Sequence, residues 1–232
     1  MTRLESLLGR LYKFYGLLPT PPKDPFILFV WEVLSVHTTP RKRDAALDAL
    51  KKAHALTPDA LWRLPLTKLE PIVKAAGPYV ENRLENLRAG IDVFRRNRDL
   101  PSIIKGPVLK ARRAIKPLPQ LGEQGAQRML LFAADHAVLP VDARVSRVAR
   151  RLGYGEPHKA FAQTARSVRD ALGAELQDAV DAYRRAYVYL SHHGAMTCTE
   201  TVPHCMICPL LKECPEGKKR VREGDVYSEP AN

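Results

Sequence analysis

Apolar residues recur at helical spacing through most of this chain, and no sustained strand-like alternation or hairpin signal interrupts them. Leu4, Leu7, Leu8, Leu11, Tyr12 and Tyr15 share one face and predict an amphipathic first helix, which Gly16 ends. Pro19, Pro21, Pro22 and Pro25 make a stiff connector. The stretch 26–36 is apolar nearly all round, the mark of a buried helix. A helix over 40–53 follows, with proline near its start and Ala45, Ala46, Ala49 and Leu50 as its apolar face. Thr57-Pro58-Asp59 opens a short helix by cap chemistry, and helices over 67–76 and 79–96 flank Gly77-Pro78. Between 100 and 119 the pattern is broken by Pro101, Gly106, Pro107 and Pro117, and only 108–115 reads as a helix, of two turns. Helices are expected again over 123–134, 143–152, 159–172 and 175–192, and the polar residues after Cys214 are expected to fray. The pattern predicts an all-α chain.

The chain has 232 residues, enough for one large domain or two small ones with a real core. Lys and Arg number 37 against 25 Asp and Glu, a net charge of +12 that favours a polyanionic partner. No run of about 18 apolar residues exists, so no membrane span is expected. The longest apolar stretch is interrupted by Glu32. The N-terminal residues lack the uncharged apolar core and small-residue cleavage site of a secretion signal, so a cytoplasmic location is expected. Thiols stay reduced there, and clustered cysteines then point to a metal site over disulfides.

All four cysteines fall within seventeen residues, CTETVPHCMICPLLKEC: Cys198, Cys205, Cys208 and Cys214, with intervals of six, two and five. Four thiolates able to converge suit a zinc ion or an iron–sulfur cluster, and spacing alone leaves both open. Upstream lies LPQLGEQGAQRMLLFAADHAVLPVDARVSRVARR. Gly122 supplies a tight turn after Leu118-Pro119 and a helix starts near Glu123, so amides at the turn and the helix start could bind a phosphate. Asp142 is a natural N-cap for the helix that follows, and a cap alone would account for it.

Taken together, the six-two-five cysteine loop, its approach YLSHHGAMTC, the hairpin-like LPQLG and the Val141-Asp142 pair resemble the helix-hairpin-helix DNA glycosylases of the endonuclease III type, over roughly residues 24–214. The resemblance implies two helical lobes with a DNA-binding cleft between them: a six-helix lobe over 24–135, and a cluster lobe of 1–23 with 136–216, followed by a polar tail over 217–232. It implies a 4Fe-4S cluster on the four cysteines. Asp142 becomes the essential carboxylate, stabilising positive charge on the sugar as the glycosidic bond breaks or activating the nucleophile. Gln120, Leu121, Gly122, Gly125 and Arg144 become DNA contacts, with Asn82 and Arg83 as phosphate contacts. His37 and Tyr79 fall where relatives push side chains into the duplex. The expected partner is double-stranded DNA with a damaged or mismatched base, bound by a nucleoid-associated monomer.

Three positions depart from the family pattern. Gln120 replaces the first hairpin glycine. Gln124 stands where endonuclease III has the lysine that forms a Schiff base; an amide cannot do so, which implies base removal without strand cleavage. Glu32 sits among Phe26, Ile27, Phe29, Val30, Val33 and Leu34, and resembles the glutamate with which the adenine-specific mismatch glycosylase protonates its leaving group; the alternative is a salt-bridged or solvent-facing glutamate. A bifunctional glycosylase/lyase, a non-catalytic lesion binder and a zinc-containing RNA-binding module are the competing readings.

Overall fold

The computed structural model describes residues 1–176 and 179–224. Every regular element among them is helical. The α-helices are α1 (Arg3–Tyr15), α2 (Pro25–Leu34), α3 (Pro40–Lys52), α4 (Pro58–Arg63), α5 (Leu66–Ala76), α6 (Val80–Arg96), α7 (Leu100–Lys105), α8 (Val108–Ile115), α9 (Gly122–Arg128), α10 (Ala143–Arg151), α11 (Phe161–Gly173), α12 (Val180–Met196) and α13 (Pro215–Glu223). The chain thus has the all-α fold that its periodicity predicts. No described helix is long and apolar enough to cross a membrane.

Local chemistry sets the boundaries. Thr2 and Glu5 form a reciprocal capping box at the start of α1. Asp24, Thr39 and Thr57 cap α2, α3 and α4, each followed by proline at the first helical position. Two elements differ from the sequence pattern. α7 forms despite Pro101, because that proline lies in its first turn, where no amide partner is needed. The segment after α9 continues as a π-helical turn, Met129–Ala133, whose five side chains are all buried.

The residues from Pro21 to His136 form one compact unit. Its centre is α2, where Leu28, Phe29, Val30, Val33 and Leu34 are fully buried. Helix α2 packs against α3, α6, α7 and the π-helical turn. The approach of α6 depends on Gly90, since a Cβ there would lie 1.9 Å from the Phe29 ring. Eight α-helices, α2 to α9, and the π-helical turn build this unit, where six helices were expected.

Met1–Thr20 and the described residues from Ala137 onward form the other unit. Here α10 and α1 both pack on α12, with Leu4, Leu7, Leu8 and Leu11 of α1 buried. Gly194 makes the α10–α12 contact possible: a Cβ there would sit 2.9 Å from the Arg144 Cβ and 3.1 Å from its carbonyl oxygen. Residues 215–223, expected to fray, form α13 instead. The Cys214 sulfur accepts from the Gly217 amide, Pro215 occupies the first turn and Arg220 pairs with Glu216 at 2.8 Å. The rest of the expected tail, 225–232, lies outside the described residues, as do 177 and 178 of the helix expected over 175–192.

Candidate functional site

Asp142 caps α10. Its Oδ1 accepts from the Arg144 amide at 3.0 Å and the Val145 amide at 2.9 Å, while Oδ2 has no hydrogen-bond partner among the described residues. The carboxylate is half-buried and held in one orientation by the cap, and one oxygen remains available for chemistry. The Arg144 side chain beside it is exposed.

The hairpin joins α8 to α9 through residues 116–121. Gln120 adopts φ +70 and Gly122 φ +54, so the glutamine keeps the left-handed backbone that a glycine would favour. Its side chain compensates in part, accepting at Oε1 from Asn86 of α6 at 2.7 Å. Leu121 and Gly125 are buried beneath the turn and Gln124 is half-buried on α9. Two further non-glycine residues of the same unit, His37 (φ +45) and Tyr79 (φ +62), hold left-handed backbone in the loops after α2 and before α6. Strain of this kind costs on the order of 1 kcal/mol per residue and persists only where surrounding structure enforces it. The two exposed rings lie 5.2 Å apart, and Tyr79 is 59% accessible. Asn82 is exposed, whereas Arg83, expected at a phosphate, is buried and donates to the Val36 carbonyl.

Glu32 is 5% exposed. Both its oxygens accept from Arg128 of α9, Oε1 from Nε at 2.5 Å and Oε2 from Nη2 at 2.6 Å. A Cβ at Gly125 would come within 3.5 Å of Oε2, so glycine lets α9 lie close over the pair. The general-acid role expected for Glu32 finds no support in this geometry. A proton donor needs a protonated oxygen turned to its substrate, and here both oxygens are occupied as acceptors of a bidentate guanidinium. Sequence could not show this, because Arg128 is 96 residues away. Breaking such a pair leaves a poorly solvated cation. Glu32→Gln is therefore expected to lower stability by about 2–3 kcal/mol in urea unfolding, near the lower end for a buried pair because Arg128 is 15% exposed and has other contacts. Activity per folded molecule should change by less than about threefold; a loss of the size general-acid catalysis supplies, about 10²-fold or more, would restore the acid role.

In the unit containing Asp142, the four cysteines line one cavity with His193, Arg151 and Leu210. The donors around them suit thiolates. The Leu210 amide lies 3.4 Å from the Cys208 sulfur, the Gly217 amide 3.2 Å from that of Cys214, and Arg151 Nη1 3.3 Å from that of Cys198. Burial lowers the pKa of His193 to about 4, with His192 adding to the shift, so its ring is neutral at neutral pH. Its Nδ1 lies 2.8 Å from the Tyr15 hydroxyl and its Nε2 3.6 Å from the Cys208 sulfur. Burial, and then the charge of neighbouring thiolates, pushes Cys208 up to about 12 and raises Cys205 and Cys214. A thiolate set of this kind calls for a cationic centre, which deprotonates its ligands outright. Among the described residues no three His, Cys, Asp or Glu side chains converge tightly enough for a single ion. Four cysteines around one cavity, with amide or guanidinium donors beside three of their sulfurs, are a donor set of the kind that holds a zinc ion or an iron–sulfur cluster.

Fold and site together define a helical protein with a helix-hairpin-helix, a capped aspartate after it and a four-cysteine loop. No family model matches the chain. Endonuclease III of Bacillus subtilis (strain 168) is 26% identical over 206 residues, 88% of this chain and 86% of that protein. Endonuclease III of Escherichia coli (strain K12) is 27% identical over 198 residues, covering 85% and 86%. Among solved structures, a non-covalent endonuclease III–DNA complex superposes with a TM-score of 0.73 at 23% identity, covering 96% of this chain and all of that one. The chain is thus similar to endonuclease III over most of its length and shares its all-α fold.

Proposed function

We propose that this protein is a base-excision repair DNA glycosylase that hydrolyses the bond between a damaged or mismatched base and its sugar, without cutting the strand. The observation that carries the reading is Asp142, a carboxylate locked by two amides through one oxygen and without a partner at the other. Cleavage of a nucleoside leaves positive charge on the sugar, and a carboxylate fixed beforehand stabilises that charge without having to reorganise. The Oδ2 atom can also take the proton of an attacking water. Gln124 offers no amine for a Schiff base, so the abasic product keeps its strand.

The rest of the surface supports the same substrate. The backbone of Gln120–Gly122 and the start of α9 present amides to a phosphate, and exposed Lys110, Arg112, Arg113 and Lys116 of the preceding segment add charge of the right sign. Arg144 and Asn82 are exposed and suited to backbone contacts. The His37 and Tyr79 rings act as the wedge that occupies the space left by an extruded base. Cys198, Cys205, Cys208 and Cys214 hold a 4Fe-4S cluster whose role is to brace the loop they span.

End-labelled duplexes carrying an oxidised pyrimidine, uracil or thymine opposite guanine, adenine opposite 8-oxoguanine, or 3-methyladenine test the reading, each run with and without hot alkali. Breaks that appear only after alkali are the expected result. Breaks without alkali, trapped covalently by borohydride, would assign the chemistry to an amine and reject the monofunctional mechanism. Tight binding with no product on any duplex would leave a lesion binder.

A further inference from the structure

The loops carrying His37 and Tyr79 share a buried cation that the chemistry above does not use. Arg83, on α6, is 2% exposed. Its Nη2 donates to the Val36 carbonyl, one residue before His37. Gly77, two residues before Tyr79, packs directly on it: a Cβ there would lie 3.4 Å from Nη2, 3.5 Å from Nη1 and 3.3 Å from the His37 carbonyl oxygen. A second tie joins the same loops, from the Thr38 hydroxyl to the Ala76 carbonyl. The Nε and Nη1 atoms of Arg83 are buried without partners among the described residues, and burial lowers its pKa.

A buried guanidinium with two idle donors is a poor way to stabilise a fold; an apolar side chain of similar size costs less. What Arg83 does accomplish is local. It fastens the loop of His37 against the loop of Tyr79, two residues that both hold left-handed backbone.

We propose that Arg83 is a positioning residue for base extrusion, clamping the two loops so that the His37 and Tyr79 rings stand preassembled as one wedge before DNA arrives. The inference rests on the glycosylase reading for its purpose and on the clamp geometry for its substance. A preassembled wedge matters when a base must be levered out of an intact stack, and hardly at all when the base is already extrahelical. Misplacing such a device by about 1 Å can cost about 10²-fold.

The test uses the base released fastest from the lesion panel, placed once in a fully matched flanking duplex and once in a single-nucleotide bulge. Arg83→Met should slow single-turnover release from the duplex by about 10–10²-fold and from the bulge by less than about threefold. Arg83→Lys should recover most of the loss, since an ammonium can still donate to the Val36 carbonyl. In parallel, 2-aminopurine paired with thymine reports unstacking without any chemistry: its fluorescence should rise on binding the wild type and stay flat with Arg83→Met. If Arg83→Met does not fold, Thr38→Val cuts the other tie and is expected to show the same duplex-selective loss. Equal losses on both substrates, in a variant that unfolds normally, would overturn the clamp and leave the glycosylase reading intact. A fluorescence rise with no base release from any duplex would reject the glycosylase and keep the clamp; neither signal in the wild type rejects both.

Discussion

Asp142→Asn is expected to slow base release by about 10²–10⁴-fold while leaving DNA affinity within about threefold. Asparagine is as good an N-cap as aspartate, and its amide oxygen can accept from the Arg144 and Val145 amides as Oδ1 does now. Helix α10 therefore keeps its start, and the substitution removes only the negative charge and the proton-accepting oxygen. Asp142→Ala supplies the contrast: it loses the cap as well, at about 1 kcal/mol of stability, with no further loss of rate expected. Single-turnover release after alkali, with binding measured by anisotropy on a duplex bearing an uncleavable abasic analogue, separates the two effects. An Asp142→Asn variant that released base at the wild-type rate would reduce Asp142 to a cap, and the protein to a lesion binder.

What could be read from sequence here follows the range over which each signal acts. Helix starts were legible at Thr57 and Asp142 because capping is decided within three residues, whereas the Asp24 and Thr39 caps were not read from the sequence. The all-α class followed from periodicity for the same reason. The fate of Glu32 was not legible, since its neighbours in the chain are apolar and its partner Arg128 arrives through tertiary packing. Arg83 reads as an exposed phosphate contact in ENRLEN, and its burial against the Val36 carbonyl and Gly77 comes from tertiary packing. The short helix after Cys214 was hidden because its cap is a cysteine sulfur, which is not among the usual capping residues.

These cases also show how the hairpin tolerates its departures. Gln120 retains a glycine's backbone and transfers part of the strain to a bond with Asn86. Gln124 changes no packing that the helix needs, because α9 is anchored from below by Gly125 and by Arg128 on Glu32. The scaffold can thus hold its shape while the residue that would decide strand cleavage varies, and this is why the monofunctional reading rests on chemistry at one position and not on the fold.

Cys208→Ser is expected to abolish the visible absorbance of the purified protein and to free residues 198–214 from their present path. That segment has little to hold it otherwise. Its regular structure is two three-residue 3-10 turns, Cys205–Ile207 and Leu211–Glu213, and Leu210 is its one fully buried large apolar side chain among the described residues. Arg147 donates to the Cys198 carbonyl at 2.9 Å, and Arg151 to the Thr199 and Glu200 carbonyls at 2.6 and 3.0 Å, while at the far end the Cys214 sulfur lies 3.2 Å from the Arg151 carbonyl and Arg10 pairs with Glu213 at 2.6 Å, so these ties fall at the two ends of the segment. A group bound at four points closes the remaining chain into small loops and removes most of its freedom, as a disulfide does. Without it, burial and then the charge of neighbouring thiolates raise the Cys205 and Cys214 thiols, and nothing links them. Trypsin should then cut at Lys212 while α1, α10 and α12 stay protected, since Leu4, Leu7, Leu8 and Leu11 are buried independently of the loop. Wild-type protein that is colourless and carries one zinc per chain would replace the iron–sulfur assignment with a structural zinc site. Coloured protein in which Cys208→Ser keeps its absorbance and its resistance to trypsin would show that the cluster stands on other ligands and that the loop holds itself.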